Sequence, residues 1–223
     1  MRFDEKRVLV TGASRGIGRA IALQFAAAGA RVAVHYQTNQ SAAETTLAEL
    51  PGTGHTLCAG DVADPDAVSQ LVAETVTDLG GLDILVNNAG IFEAHPVNEV
   101  SYEDWQHHWQ RTLTVNLTGP ANLCWHAVQH MRQSGGGRIV NVSSRGAFRG
   151  EPRCPAYGAS KAGLNALTQS LAQQLAPLGI FVGAVAPGFV ETDMASTVLE
   201  GPGGDAVRRQ SPLGRVAKPE EVA

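Results

Sequence analysis

Cysteine is scarce in this sequence of 223 residues, which contains Cys58, Cys124 and Cys154 and no others. The three positions are far apart, and neither a CxxC pair nor another zinc-ligand spacing occurs among them. An odd number of isolated cysteines argues against a disulfide framework and against a cysteine-based metal site. We therefore expect no bound metal and a reducing compartment, most simply the cytoplasm.

An excess of positive charge and long apolar runs are also missing. The sequence has 17 basic and 21 acidic residues, for a formal net charge of −4. A nucleic-acid surface needs a basic stripe, and the sequence has none, so we expect no nucleic-acid partner. The first ten residues lack an apolar run of signal-peptide length, and no later stretch is long enough to cross a bilayer. We expect no membrane association.

Short β-branched runs alternate with longer segments rich in alanine and leucine. Strands are predicted at residues 7–11, 31–35, 55–59, 83–87, 138–143 and 181–186. Helices are predicted at 16–28, 41–50, 65–79, 101–132 (with a break near Gly119-Pro120) and 157–176. Asp64 and Pro65 mark the start of the third helix as its N-cap and first residue.

Strand–helix alternation with nearly continuous apolar strands predicts an α/β fold with a doubly wound parallel sheet. Helices on both faces would make this a Rossmann-type three-layer sandwich. The length favours a single domain over residues 1–223. In such a sheet, ligands bind beyond the carboxyl ends of the strands, so functional residues should follow strands directly.

The first predicted strand runs into Thr11–Gly18, whose sequence is TGASRGIG, and a helix begins there. Glycines allow a sharp turn and let backbone N–H groups approach a pyrophosphate at the helix N-terminus. The spacing is G-x-x-x-G-x-G, which differs from the usual G-x-G-x-x-G dinucleotide fingerprint. Taken alone, the turn is also compatible with a tight strand–helix connection.

This segment resembles the TGxxxGxG motif of the classical short-chain dehydrogenase/reductase family, and the resemblance extends over nearly the whole chain. It includes the Asn87–Gly90 sequence NNAG, which follows the fourth strand, and the Pro187-Gly188 pair after the sixth. The resemblance implies a nicotinamide dinucleotide cofactor. The residues it places at that cofactor are Gly12, Ser14, Gly16, Ile17, Gly18, Asp61, Val62, Asn88, Ala89, Gly90, Pro187, Gly188, Val190 and Thr192, together with Tyr157 and Lys161.

Tyr157 and Lys161 are four residues apart on a predicted helix, so their side chains share one face. A nearby ammonium favours the phenolate and lowers the pKa of a phenol, which suits Tyr157 to proton exchange with a carbonyl or alcohol oxygen. Ser144 follows the fifth strand, thirteen residues earlier. The family resemblance implies that Ser144, rather than Ser143, orients the substrate oxygen, and that Asn116 supports a proton relay.

The residues after the second strand bear on the choice between NADP and NAD. NAD sites usually have an acidic residue there, whereas this chain has none before Glu44. Arg15 in the glycine turn offers a charged contact to a 2′-phosphate, although a solvated surface role is equally compatible with its position. Thr38 and Asn39 offer neutral hydrogen bonds only. NADP(H) is favoured over NAD(H).

The substrate is left open by the sequence. The motifs are similar to those of bacterial 3-oxoacyl-acyl-carrier-protein reductases, but the loops at 135–137 and 177–179 lack basic residues for an acidic carrier. A small carbonyl or alcohol is therefore favoured over acyl carrier protein. A lid is expected at about 189–212. A catalytically silent NADP(H)-sensing interaction protein on the same fold is the alternative from another class.

Family members usually form homodimers or homotetramers, so the resemblance implies a homo-oligomer. They also usually continue beyond the KPEEVA sequence at 218–223 through a helix and a final strand. That comparison predicts a helix start at 218–223 and an open edge on the sixth strand.

Overall fold

The computed structural model of the protein describes residues 2–223, except for the side chain of Thr197. One parallel sheet has the strand order β3-β2-β1-β4-β5-β6. The strands are β1 Arg7–Val10, β2 Arg31–Tyr36, β3 Thr56–Ala59, β4 Ile84–Asn87, β5 Gly137–Val142 and β6 Ile180–Val185. Each predicted strand is therefore confirmed to within a few residues. The order reverses between β1 and β4, which opens a crevice beyond the carboxyl ends of these two strands.

Helices cover both faces of the sheet. They are α1 Gly16–Ala27, α2 Gln40–Glu49, α3 Pro65–Leu79, α4 Tyr102–Leu113, α5 Gly119–Met131, α6 Gly146–Arg149, α7 Pro155–Leu175, α8 Asp193–Glu200 and α9 Gly204–Arg208. The predicted three-layer α/β fold is confirmed.

Alternate residues of one strand reach opposite faces of the sheet, and both faces are buried. Val8 and Val10 of β1 pack with Ile21 of α1 in one core cluster. Leu9, between them, packs with Leu71 of α3 in the other. Burial on both faces explains why the strands are continuous apolar runs without the alternation of a half-exposed sheet.

The third helix has the predicted bounds because its end signals are unambiguous. The Asp64 carboxylate accepts a hydrogen bond from the Asp66 N–H at 2.9 Å, and Pro65 occupies the first turn. Gly80 ends the helix in the left-handed conformation, with φ of 76°. Capping signals of this kind involve only a few neighbouring residues, so they can be recognised from the sequence alone.

The predicted helix at 101–132 is three elements. A π-helical turn at Thr114–Thr118 separates α4 from α5, and Pro120 lies in the first turn of α5. The predicted break near Gly119-Pro120 is thus confirmed in its location, but its form was not predicted. The sequence did not predict the short helix α6. At 218–223, where a helix start was predicted, the structure has a 3₁₀ turn at Pro219–Glu221.

Strand β6 is an edge of the sheet. Its Phe181 and Val185 side chains are exposed, and the Arg138 guanidinium lies 4.2 Å from the centroid of the Phe181 ring. In the described part of the chain, no helix is both long enough and apolar enough to cross a membrane.

Candidate active site

A cavity of about 580 Å³ opens beyond the carboxyl ends of the strands. Nearly all of the predicted site residues line it, although they come from segments far apart in sequence. Those that line it are Gly12, Ser14, Arg15, Gly16, Ile17, Asp61, Val62, Asn88, Ala89, Gly90, Ser144, Tyr157, Lys161, Pro187, Gly188, Val190 and Thr192. Gly18 and Asn116 are the two predicted residues that do not.

The glycine turn, residues 11–18, joins β1 to α1 at one end of this cavity. Gly12 has φ of 62°, and a Cβ there would lie 3.0 Å from the Cα of Ala89. Arg15 is the N-cap of α1, yet its side chain makes no capping hydrogen bond. The first N–H groups of a helix have no intrahelical partner, so this end of α1 presents donors and a positive dipole to the cavity. The arrangement suits a phosphate group.

Gly18 does not line the cavity but packs against residues that do. A Cβ on Gly18 would collide with the carbonyl oxygen of Gly12 and the side-chain nitrogen of Asn88. That position therefore allows α1 to pack closely against the turn that it follows.

Asn88 and Thr11 tie the ends of β4 and β1 together. The Asn88 side-chain N–H₂ donates to the carbonyl oxygens of Thr11 and Gly12, at 2.8 and 3.1 Å. In return, the Thr11 hydroxyl oxygen accepts from the backbone N–H groups of Asn88 and Ala89, at 2.9 and 3.0 Å. These four bonds fix the spacing of the two loops on which the predicted cofactor contacts lie.

Tyr157 lies in the first turns of α7, beside the end of β5. The Phe92 ring packs edge-on against it, with the ring centroids 4.8 Å apart. Burial raises the pKa of the Tyr157 phenol, while a hydrogen bond with Ser144 acts in the opposite direction. The Glu151 carboxylate adds a smaller upward contribution to the pKa.

Ser144 is held with its hydroxyl towards Tyr157. Its Oγ accepts a hydrogen bond from the Gly146 N–H at 3.0 Å, which leaves the hydroxyl proton available to an acceptor in the cavity. Ser143 also lines the cavity, but its Oγ donates to the Lys161 carbonyl oxygen at 3.4 Å. The geometry therefore distinguishes the two adjacent serines in the same sense as the sequence spacing.

Lys161 is almost completely buried, and its Nζ donates to the Val142 carbonyl oxygen at 2.8 Å. Burial lowers the pKa of this ammonium to about 8. Its Nζ lies 5.8 Å from the centroid of the Tyr157 ring. The expected lowering of the Tyr157 pKa by Lys161 is not found, because the pKa of Tyr157 is raised and burial is the largest cause.

Asn116 lies in the π-helical turn and is fully buried. Its side chain pairs with the backbone of Ile91 in both directions. Oδ1 accepts from the Ile91 N–H at 2.9 Å, and Nδ2 donates to the Ile91 carbonyl oxygen at 2.9 Å. Nδ2 also lies 3.3 Å from the hydroxyl of Ser160. The residue holds the loop after β4 in place and does not face the cavity.

Arg15 and the residues after β2, Gln37, Thr38 and Asn39, also line the cavity. The Arg15 guanidinium lies 3.3 Å from the Asp193 carboxylate, and both side chains are exposed. Asn39 accepts from the Ala42 N–H at 3.0 Å as the N-cap of α2, so its side-chain oxygen is already used. An acidic side chain within residues 35–43 would indicate an NAD-type contact, and the sequence has none there.

The sequence interpretation missed several cavity residues, among them three around Tyr157 and Ser144. These are Phe92, Arg145 and Glu151. The Arg145 guanidinium lies 3.4 Å from the Glu151 carboxylate and 4.5 Å from the centroid of the Phe189 ring, and it donates to the Gln210 side chain at 2.6 Å. Arg145 directly follows Ser144, and this adjacency was the available signal.

Comparisons with known proteins identify one family. The family model described as short chain dehydrogenase matches residues 6–203. A 3-oxoacyl-[acyl-carrier-protein] reductase from Synechocystis is 41% identical, over 96% of this chain and 85% of its own length. A D-threitol dehydrogenase from Mycolicibacterium smegmatis is 38% identical, over 100% of this chain and 84% of its own.

A solved structure gives the same fold. The short chain dehydrogenase from Burkholderia cenocepacia in complex with NADP aligns with a TM-score of 0.88 and 39% identity, over 100% of this chain and 89% of that one. The family match, the relatives and the fold all agree, so the chain belongs to the short-chain dehydrogenase/reductase family of oxidoreductases.

Proposed function

We propose that this oxidoreductase interconverts a carbonyl compound and the corresponding alcohol with NADP(H), and that Tyr157 is its general acid and base. The observation that carries the proposal is the meeting of Ser144 and Tyr157 in one cavity with the glycine turn. The cavity would then hold a proton donor (Tyr157), a hydroxyl that orients the substrate oxygen (Ser144) and a helix end that binds phosphate. The bound dinucleotide supplies the hydride in reduction and accepts it in oxidation.

The cavity fits a dinucleotide at both of its ends. At the α1 end, Gly12 leaves no room for a Cβ, and the free N–H groups suit a pyrophosphate. Asp61 and Val62 would flank the adenine, and Pro187, Gly188, Val190 and Thr192 would flank the nicotinamide half; all six line the cavity.

In reduction, Ser144 would donate a hydrogen bond to the carbonyl oxygen and draw electron density from the carbon. That carbon gains the hydride, and the oxygen takes the phenolic proton of Tyr157, so the product is a neutral alcohol. Tyr157 regains its proton from water. The raised pKa of Tyr157 keeps the phenol protonated at neutral pH, which suits a proton donor in reduction. Lys161 would bind the cofactor ribose and hold positive charge close to the developing phenolate.

NADP(H) is favoured because Arg15, Thr38 and Asn39 line the same cavity, and no acidic residue follows at the end of β2. An Arg–phosphate contact is charge-assisted and worth more than a neutral hydrogen bond. The Burkholderia relative, which is in complex with NADP, supports the same choice.

A small carbonyl or alcohol is the proposed substrate, with an acyl group on acyl carrier protein as the less favoured alternative. Relatives named for each kind of substrate align over 96% or more of this chain, at 41% and 38% identity. Residues 189–212 are the proposed lid. Arg145 contacts Phe189 near the start of this segment and Gln210 near its end. Homo-oligomerisation, the expected assembly, is supported by the exposed Tyr102 and Trp125.

A panel of small ketones, aldehydes, sugars and acetoacetyl thioesters tests the proposal, with NADPH consumption followed at 340 nm. We expect turnover with at least one class, and loss of more than about 99% of it in Tyr157→Phe, since proton transfer contributes about 10²–10⁴-fold. NADPH binding should survive in Tyr157→Phe. Retention of more than a few per cent of the activity would contradict the assignment, and tight NADPH binding without turnover on any compound would favour the sensor alternative.

A further inference from the structure

His35, near the carboxyl end of β2, is a buried histidine with both ring nitrogens bonded. Its Nδ1 accepts a hydrogen bond from the Gly12 N–H at 3.0 Å. Because an acceptor nitrogen carries no proton, the proton of the neutral ring is on Nε2, which then donates to the Gly60 carbonyl oxygen at 3.0 Å. Only the neutral Nε2–H tautomer satisfies both bonds.

The two partners lie in different loops of the cofactor cavity. Gly12 belongs to the glycine turn after β1, and Gly60 precedes Asp61 in the loop after β3, residues 60–63. Strand β2 lies between β1 and β3 in the sheet, so a side chain at its end can reach both loops. The His35 carbonyl oxygen adds a third link, because it accepts from the Ala13 N–H at 2.8 Å.

We propose that His35 is a positioning residue that holds the glycine turn and the loop after β3 at the spacing that the dinucleotide requires. This inference rests on the proposed function, since it concerns binding of NADP(H). His35 also lines the cavity, so its ring is part of the floor between the two loops. Without an acceptor at this point, the Gly12 N–H is left unpaired, and the turn must reorder to bind phosphate.

The same geometry should make NADPH binding sensitive to low pH. Protonation places a hydrogen on Nδ1, where the Gly12 N–H already points, and two donors then face each other. Burial lowers the pKa of His35 below its usual 6.5, while the Gly60 carbonyl and the Asp61 carboxylate oppose that shift. The strand residues beside His35 are uncharged. On the β1 side, Val10 pairs with the preceding residue Val34, and on the β3 side His35 pairs with Cys58, whose thiol pKa is raised by burial to about 12. Binding therefore weakens once the pH falls below this depressed pKa.

The chain contains a matched control. His55 makes the same pair of bonds at the opposite end of β2, with Nδ1 accepting from the Val32 N–H and Nε2 bonded to the Pro51 carbonyl oxygen, both at 3.1 Å. Loss of His55 removes equivalent bonds without touching the cofactor cavity.

The test measures the NADPH dissociation constant of His35→Leu, His35→Asn and His55→Leu by fluorescence titration at pH 7.5. His35→Leu should bind about fivefold to a hundredfold more weakly, the range expected for one unpaired buried donor. His35→Asn should stay within about threefold of wild type, because its Oδ1 takes the place of Nδ1 as acceptor. His55→Leu should bind like wild type while unfolding at lower denaturant concentration. Equal weakening in the His55 and His35 leucine variants, or unchanged affinity in folded His35→Leu, overturns the inference.

A pH series on wild type and His35→Asn provides a readout that does not depend on the leucine variants folding. The ratio of the wild-type to the His35→Asn dissociation constant should rise several-fold once the pH falls below the depressed pKa of His35, and the series runs from pH 7.5 down to the acid limit of folding. The dinucleotide phosphate also titrates, with a pKa of about 6, but it affects both proteins and cancels in the ratio. A flat ratio overturns the inference. A wild-type protein that binds no NADPH overturns the proposed function, and the inference with it, so the two failures are distinguishable.

Discussion

The ammonium group of Lys161 donates to the carbonyl oxygen of Val142 at 2.8 Å, in surroundings that leave 4% of the lysine exposed. A lysine held in this way destabilises the folded protein, because burial favours its neutral form and lowers its pKa from 10.5 to about 8. Its retention is explained by the proposed role at the cofactor and at Tyr157.

Lys161→Met should therefore raise the free energy of unfolding while abolishing turnover. The expected gain at pH 7 is about 1–2 kcal/mol, since a shifted pKa unit corresponds to about 1.4 kcal/mol and the lost bond to Val142 offsets part of it. The gain should be full below pH 8. It should shrink between pH 8 and 10.5, because the folded lysine is neutral there while the unfolded lysine still binds a proton, so a rise in pH stabilises the wild-type protein. Urea denaturation at pH 7 and pH 10 checks this. A variant less stable than wild type at pH 7 would contradict it.

Ser144→Ala should lower kcat by about 10²–10³-fold, the usual effect of removing one donor to the reacting oxygen. Ser143→Ala is the matched control, because Ser143 is equally buried but directs its hydroxyl to the Lys161 carbonyl oxygen. It should keep kcat within a few-fold of wild type. Steady-state kinetics on the best substrate measure kcat for both variants. Similar losses of kcat in both would contradict a specific catalytic role for Ser144.

Arg15→Ala should raise the KM for NADPH about tenfold and leave the KM for NADH within about twofold, because the guanidinium is the proposed partner of the 2′-phosphate. Asp193→Asn removes the carboxylate that lies 3.3 Å from Arg15 and should slightly lower the KM for NADPH. The pair is exposed, so neither change should alter stability measurably. Equal effects on both cofactors would show that Arg15 does not select the phosphate.

Asn116→Ala should lower the free energy of unfolding by about 2–4 kcal/mol, because it leaves the Ile91 N–H and carbonyl oxygen without their partner in a buried position. Thermal and urea unfolding measure this. The exposed Asn98, in the same loop after β4, is the control, and Asn98→Ala should stay within about 0.5 kcal/mol of wild type. If both substitutions had the same small effect, Asn116 would not be what holds the loop.

The features that the sequence predicted are those specified over a few residues. The Asp64 N-cap and Gly80 stop define α3 completely, and the position of the glycine turn after a buried strand identifies the phosphate end of the cavity. The catalytic candidates Ser144 and Tyr157 follow from fixed spacings around β5 and α7. Local signals of this kind do not depend on what packs against them.

What the sequence did not predict depends on contacts between distant segments. The proposed role of His35 rests on its hydrogen bonds to Gly12 and Gly60, which are 23 and 25 residues away in the chain. The direction of the Tyr157 pKa shift depends on burial by neighbours such as Phe92, and spacing to Lys161 says nothing of that burial. Such contacts appear only once the strand order is known.

The π-helical turn at Thr114–Thr118 fits one more residue into the rod formed by α4 and α5 than a regular α-helix would hold. An α-helix turns by about 100° per residue and the wider π turn by about 80°, so the five residues here rotate the chain about as far as four regular ones would. The extra residue therefore brings Asn116 to Ile91 while the core residues Leu123 and Met131 of α5 keep facing the sheet. Deleting one residue of the turn would leave the packing of α5 on the sheet in place and remove the pairing of Asn116 with Ile91.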